Sequence, residues 1–447
     1  MHVEADLKLS NLKQVVEDIL NEAARKGATS AEAGVSATNG TSTTVRLGEV
    51  ETIEHNNDNG MGISVYFGNR KGSASTTDLS PQALKDTVEK ACNIARFTTE
   101  DPYNGLANAD EMLQSQPDLD LYHPWSISID DAIELARECE DAALSEDKRI
   151  TNSEGATVNT AVGFHVYGNS HGFIGTYPST RHSISCSVIA QEGDDMQRDY
   201  WYDTSRVAKD MDSAQAIGRH TAMRTLARLN SRQIKTQTSP VIFKNELAPG
   251  LLRSFIGAIR GSALYRKSSF LLDKLGEQVF PEFVTISENP LLPRGLGSAA
   301  YDNDGVATRA RNIVENGVLQ GYVLDAYSSR KLHMPNTGNA GGVRNLTINQ
   351  SDSSFDDLLK TMDKGLVVTE LMGQGVNPVT GDYSRGAAGF WVENGEIQFP
   401  VEEITIAGNL LDMFKSLSVV GNDNDAPGSI NTGSWLIDSM TIAGANS

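Results

Sequence analysis

Apolar residues recur every three or four positions through Leu12, Val15, Val16, Ile19, Leu20 and Ala23, the spacing of one buried helix face. Arg25-Lys26-Gly27 closes that helix. The pattern then turns to short β-type runs at 33–37, 43–47, 62–67 and 72–76, and the Asn-rich cluster 56–60 predicts a turn among them. Ser80-Pro81 opens a second helix, with Ser as cap and Pro at the first position, burying Leu84, Val88, Ala91 and Ala95. The order then repeats. Ser128-Ile129-Asp130-Asp131 opens a helix that buries Ile133, Ala136 and Ala143. Strand patterns follow at 161–167, 171–177, 182–190 and 199–203. A closing helix over 212–229 carries Ala216, His220, Met223 and Ala227 on one stripe, which predicts His220 as a hydrogen-bonded core residue.

From Pro240 the texture changes. A strand at 241–243 and a helix over 247–262 lead into glycine-punctuated β-runs, among them 313–323 and 343–348, with a close-approach loop at 336–342. Two apolar runs, 366–371 and 388–392, flank a polar, glycine-rich stretch carrying Asp382, Tyr383, Ser384 and Arg385. A further run at 404–407 follows the tight Asn394-Gly395 turn. Strands that come in meanders, not alternating with helices, give an α+β fold with largely antiparallel sheet. The predicted organisation is a first helix–β-meander–helix unit (1–100), a linker (101–124), a second such unit (125–232) and a C-terminal β-rich domain (233–447). The two N-terminal units have the form of an internal duplication.

Composition narrows the functional classes. The 447 residues are 39% hydrophobic and 21% charged, enough for a sizeable core. With 38 basic against 58 acidic side chains, the net charge of −20 repels phosphate backbones and anionic lipid surfaces. Nucleic acid and membranes are therefore not expected partners. No run approaches the ~18–20 apolar residues of a membrane span. The three cysteines, Cys92, Cys139 and Cys186, are scattered and suit reduced, buried thiols. A cytoplasmic protein is expected. Gly295-Leu296-Gly297 follows Pro290 and Pro293, not a strand, so it is no dinucleotide fingerprint. Asp302 and Asp304 give one fragment of a calcium loop without the rest and are taken as a turn.

Several long words occur in order along the chain: Arg-Lys-Gly-Ser-Ala-Ser-Thr-Thr-Asp-Leu-Ser-Pro (70–81), Gly-Asn-Ser-His-Gly (168–172), Tyr-Arg-Lys-Ser-Ser-Phe-Leu-Leu-Asp (265–273) and Thr-Gly-Asp-Tyr-Ser-Arg-Gly-Ala-Ala-Gly-Phe-Trp (380–391). Glu-Asn-Gly-Glu-Ile (393–397) and Ile-Ala-Gly-Asn-Leu (406–410) follow. In these words, over nearly its whole length, the chain resembles the TldD/PmbA family of bacterial metallopeptidases, and within it the PmbA (TldE) branch. The resemblance implies a substrate cleft in the C-terminal domain, processing of peptide precursors and turnover of unfolded peptides.

The catalytic branch of that family carries a His-Glu-x-x-x-His helix and a further cysteine ligand near its C-terminus. By the resemblance, the corresponding helix here has Arg253 and Ser254 at the His-Glu positions and Ala258 at the second His position, and no cysteine follows Cys186. Arg253 carries a fixed positive charge and no acceptor, so it neither ligates a divalent cation nor tolerates one nearby. No catalytic residue, metal or cofactor is therefore expected in this chain, and zinc is expected in a TldD-type catalytic partner. The chain is expected to be inactive alone; a homodimer of the isolated chain is left open. Asp382, Tyr383, Ser384 and Arg385 form a candidate peptide cleft. Arg385 offers a planar donor fork, and the surrounding glycines let an extended peptide pair as an added strand. The equal alternative is an internal pair of Asp382 with Arg385. Two rival functions stand beside this one. One is a stand-alone metallopeptidase using the strand histidines His165, His171 and His182. The other is a regulator associated with DNA gyrase that does not contact DNA.

Overall fold

The computed structural model describes residues 2–444. Its first half contains α1 (His2–Arg25), β1 (Ser30–Arg46), β2 (Glu49–Phe67), β3 (Arg70–Thr76) and α2 (Pro81–Phe97). After an irregular stretch come α3 (Ile129–Leu144), β4 (Ile150–Asn169), β5 (Ile174–Glu192), β6 (Asp195–Ser205) and α4 (Ala214–Ala227), in the same order. All six strands form one sheet, β3-β2-β1-β4-β5-β6. The two units therefore meet edge to edge, through antiparallel β1–β4 pairing that runs from Glu32↔Asn169 to Val45↔Ala156.

These strands are far longer than the sequence pattern suggests. Residues 56–60 are not a turn; they pair inside β2, from Asn56↔Gly40 to Gly60↔Ser36. Exposed polar side chains cost a strand little when its ladder is complete. The true reversal is Leu47-Gly48, whose φ values of 51° and 79° are those of a type I′ hairpin turn. Glu140 of α3, fully buried, accepts the backbone N–H groups of both turn residues, Leu47 at 2.8 Å and Gly48 at 2.9 Å. The second unit thereby holds the hairpin turn of the first. The runs at 171–177 and 182–190 likewise fuse into β5 across Pro178. Pairing with β6 begins only at His182↔Ser205, so the missing N–H of Pro178 is not needed there.

Helices cover one face of this sheet. The core under α1 and α2 takes Ala33, Val35, Ile63 and Val65 from its own strands but also Phe164 and Val166 from β4. The core under α3 and α4 takes Val45 from β1. On α4 the buried residues are Ile217, Gly218, Thr221, Ala222 and Thr225, while Met223 is 53% exposed. His220 is only half-buried and lies against Trp201, 4.6 Å between ring centroids. The expected core stripe through His220 thus faces outward. The helix is rotated by its close approach to α3, where a Cβ on Gly218 would stand 2.0 Å from the Cys139 carbonyl oxygen. Cys92, Cys139 and Cys186 are buried and free.

The second half contains β7 (Gln237–Phe243), α5 (Ala248–Ala258), α6 (Gly261–Tyr265), β8 (Ile286–Glu288), β9 (Arg311–Glu315), β10 (Val318–Leu319), α7 (Ala326–Leu332), β11 (Leu346–Ile348) and α8 (Phe355–Met362). β12 (Gly365–Met372), β13 (Asp382–Glu393), β14 (Glu396–Asn409), α9 (Leu410–Lys415), β15 (Leu417–Val420), β16 (Ile430–Asn431) and β17 (Trp435–Ala443) complete it. The larger sheet here, β14-β13-β12-β7-β17-β15, is antiparallel except for the β7–β12 pair. β14 also pairs with β17, so the sheet curls until it closes on itself. Its inner face, with Val241, Phe243, Leu366 and Val368, shares one core with Leu251, Leu252, Phe255 and Ile256 of α5. Its outer face packs Ile242, Val367 and Leu436 against α8. The fold is α+β with a β-rich C-terminal part. Among the described residues no helix is long and apolar enough to cross a membrane.

Gly218 sets two effects against each other. Alanine in a helix interior is favoured over glycine by about 1 kcal/mol. Forcing a methyl group into a backbone contact costs roughly 1–3 kcal/mol. Gly218→Ala is expected to lower the urea or thermal unfolding midpoint, because the contact is with a carbonyl that cannot move without shifting α3.

Candidate functional site

α5 starts with Pro249 in its first turn and buries Leu251, Leu252, Phe255, Ile256 and Ala258 against the curled sheet. Its outward stripe is Gly250, Arg253 and Gly257, and a Cβ added at either glycine would meet open space. Ser254 is partly exposed, and its hydroxyl donates to the Gly250 carbonyl one turn back, at 3.1 Å. Burial raises the pKa of the Tyr202 hydroxyl, and Arg253 is among the charges that pull it down. A guanidinium, a hydroxyl spent on its own helix and a buried methyl group are the groups at the three positions singled out in the sequence. They do not fit a zinc ion, which takes thiolate, imidazole or carboxylate donors.

Strand alternation divides the 382–385 quartet. Asp382 and Ser384 are exposed, while Tyr383 and Arg385 turn toward the core of α5. Tyr383 is 3% exposed and stands edge-on to Phe243, with centroids 6.3 Å apart. Burial pushes its phenol up to about 12, opposed by the charge and hydrogen bond of Arg385. The Arg385 Nε is itself buried without a partner. Asp382 and Arg385 do not pair. Asp382 instead accepts the Thr380 hydroxyl at 2.6 Å and the Asn409 amide at 3.5 Å. Both edges of β13 are occupied here. β14 lies on one side, and on the other the loop returns so that the Ser384 N–H reaches the Gly375 carbonyl at 2.7 Å. A Cβ on Gly375 would lie 1.5 Å from the Ser384 oxygen, and one on Gly389 would lie 1.8 Å from the Val367 oxygen. The glycines of this block admit neighbouring backbone.

The strand histidines stay apart. His165 lies on the open face of the N-terminal sheet, stacked on Tyr177 at 5.0 Å, and burial lowers its pKa. His182 is fully buried, edge-on to Trp125. Its Nε2–H donates to the His123 carbonyl at 2.9 Å and its Nδ1 accepts the Thr160 hydroxyl at 2.8 Å. His171 uses Nε2 on the Ala107 carbonyl, at 2.9 Å. Among the described residues no group of three or more His, Cys, Asp or Glu side chains is placed to hold a metal ion.

A buried acidic cluster carried no sequence signal beyond a turn. Asp302 and Asp304 do form one around Gly305 (φ 81°), but their carboxylates point inward. Asp302 is 1% exposed and accepts the backbone N–H groups of Asp304, Val306 and Ala340. Asp304 accepts the Ala326 N–H at the start of α7. Glu32 of β1 takes the hydroxyls of Tyr66 and Tyr167. Burial raises Asp302 to about 6; burial, reinforced by Asp302 and Glu32, raises Asp304 to about 7.

Family models match three successive stretches: PmbA/TldA metallopeptidase domain 1 over residues 31–95, the central domain over 122–229 and the C-terminal domain over 236–444. The chain is 52% identical to "Metalloprotease PmbA" of Escherichia coli O157:H7, over 99% of this chain and 98% of that one. The chain belongs to the TldD/PmbA metallopeptidase family. Other TldD/PmbA-like folds have been solved. One, from Bacteroides thetaiotaomicron and described as a candidate modulator of DNA gyrase, is 30% identical with a TM-score of 0.91, covering 97% of this chain and 99% of that one. TldE from Thermococcus kodakarensis, 21% identical, shares the fold with a TM-score of 0.82, covering 96% and 100%.

The raised Asp304 pKa has a definite sign. The folded state holds this proton more tightly than the unfolded chain, whose value is near 3.8. The contribution is complete below about pH 4 and is lost as pH rises to about 7. Asp304→Asn keeps an acceptor for the Ala326 N–H and cannot ionise. It is expected to match the parent in thermal unfolding near pH 4 and to exceed it at pH 8, by up to about 2 kcal/mol after allowance for screening at its partly exposed edge.

Proposed function

We propose that this chain is the non-catalytic subunit of a two-component TldD/TldE-type metalloprotease of the cytoplasm. Its partner is the zinc-bearing homologue, and its substrates are unfolded peptides and peptide precursors. The observation that carries this reading is α5. The helix keeps its apolar face and its seat inside the curled sheet, while Arg253, Ser254 and Ala258 stand at the positions that hold ligands and base in the catalytic branch. Hydrolysis at zinc needs a water beside a general base, with the metal open to substrate. A fixed guanidinium at that place opposes both. The bare outward stripe of Gly250 and Gly257 leaves surface that another chain can approach. In the 382–385 segment, Asp382 and Ser384 are the members that can meet a peptide from outside.

A stand-alone peptidase needs other ligands. Its sequence candidates, His165, His171 and His182, each face a different neighbour. A gyrase-associated role rests on the description of the Bacteroides relative, and the net charge of −20 opposes direct contact with DNA.

The test is metal analysis of the purified chain, with peptidase assays on an unfolded peptide before and after adding the catalytic homologue. The expected result is well under one zinc per chain, no cleavage alone, and cleavage with the homologue that exceeds the homologue's own. Stoichiometric zinc together with cleavage by the chain alone would overturn the reading.

A further inference from the structure

A cleft of about 1180 Å³ lies on the open face of the N-terminal sheet, opposite α1 and α2. It exceeds the ~300–1,000 Å³ of an ordinary small-molecule site. Its floor is a patch of small residues in register across three strands: Gly34↔Gly62 between β1 and β2, and Gly62↔Ser75 and Ser64↔Ser73 between β2 and β3. A Cβ added to Gly62 would meet nothing within 4 Å. Main chain can therefore lie directly on this floor. Such a patch alone is mere exposed sheet, but the wall facing it holds an unspent guanidinium.

Tyr301, 5% exposed and packed against Phe173 and Tyr177, lines the cleft, and its hydroxyl has no hydrogen-bond partner. Beside it, among the described residues Arg344 makes no ion pair and no side-chain hydrogen bond, although its Nε is buried. Its charge acts on the hydroxyls of both Tyr177 and Tyr301 and on Asp302. In a chain of net charge −20, an unpaired guanidinium in a partly buried wall calls for an anion. A singly charged anion suits this wall, because the Asp302 carboxyl stands close to Arg344.

We propose that this cleft binds the C-terminal end of an extended peptide. The terminal carboxylate sits on the Arg344 fork, and the preceding main chain lies over Gly34 and Gly62. This rests on the peptide-handling reading above and adds to it an end-recognition site remote from the 382–385 segment.

The test is fluorescence anisotropy of the full chain with a labelled unstructured peptide ending in a free carboxylate, against the same peptide amidated. The acid is expected to bind about tenfold more tightly, or ~1.4 kcal/mol. Arg344→Gln, which breaks no ion pair or side-chain hydrogen bond among the described residues, should erase that difference. Gly62→Leu, whose Cβ meets open space, should weaken both peptides. Equal binding of acid and amide by the parent, or a preference that survives Arg344→Gln, overturns the proposal while peptide handling stands. If neither peptide binds the chain, alone or with the catalytic homologue, both readings fall together.

Discussion

The β1–β4 ladder is the contact on which the rest of this molecule rests. Each of these strands would be an exposed edge of its own three-stranded meander, a row of unpaired N–H and C=O groups open to any other strand. Pairing them with each other removes both edges and fixes the relation of the two units. It also lets each helix pair bury side chains from the other unit's strand: Phe164 and Val166 under α1 and α2, Val45 under α3 and α4. With all four helices committed to one face, the other is free to meet the C-terminal domain. The inward-turned carboxylates of Asp302 and Asp304, near Glu32, lie along that meeting line.

Periodicity made the helices legible, because α1, α2 and α3 each bury a stripe at three- and four-residue spacing. Strand extent was not legible. A polar cluster such as 56–60 has the composition of a turn, and only its hydrogen-bonded partner on β1 makes it a strand. The rotation of α4 was hidden for a similar reason. It depends on a backbone contact at Gly218, and hydrophobicity carries no record of that. The curling of the C-terminal sheet is set by β14 meeting β17, segments whose partnership no local pattern records.

At the candidate site, the sequence marked Arg253, Ser254 and Ala258 on α5 and took the 382–385 quartet as one group. Period-two alternation sends its members to opposite faces, so Tyr383 joins the core with Arg385 half-buried beside it, while Asp382 and Ser384 belong to the surface. Tyr301 and Asp302 stand more than forty positions before Arg344, and only the folded C-terminal domain brings them to one wall facing the sheet.

The grip of Glu140 on the Leu47-Gly48 turn, together with the ladder beside it, orders events during synthesis. When β1 and β2 leave the ribosome, neither the carboxylate that takes their turn N–H groups nor the strand that covers their edge exists yet. Both arrive only once residue 169 has been made, on the order of ten seconds later at ordinary elongation rates. Through that interval the nascent first unit carries an uncovered flank, and residues 49–58 of β2, exposed and mostly polar apart from Val50 and Ile53, offer other chains little apolar surface there.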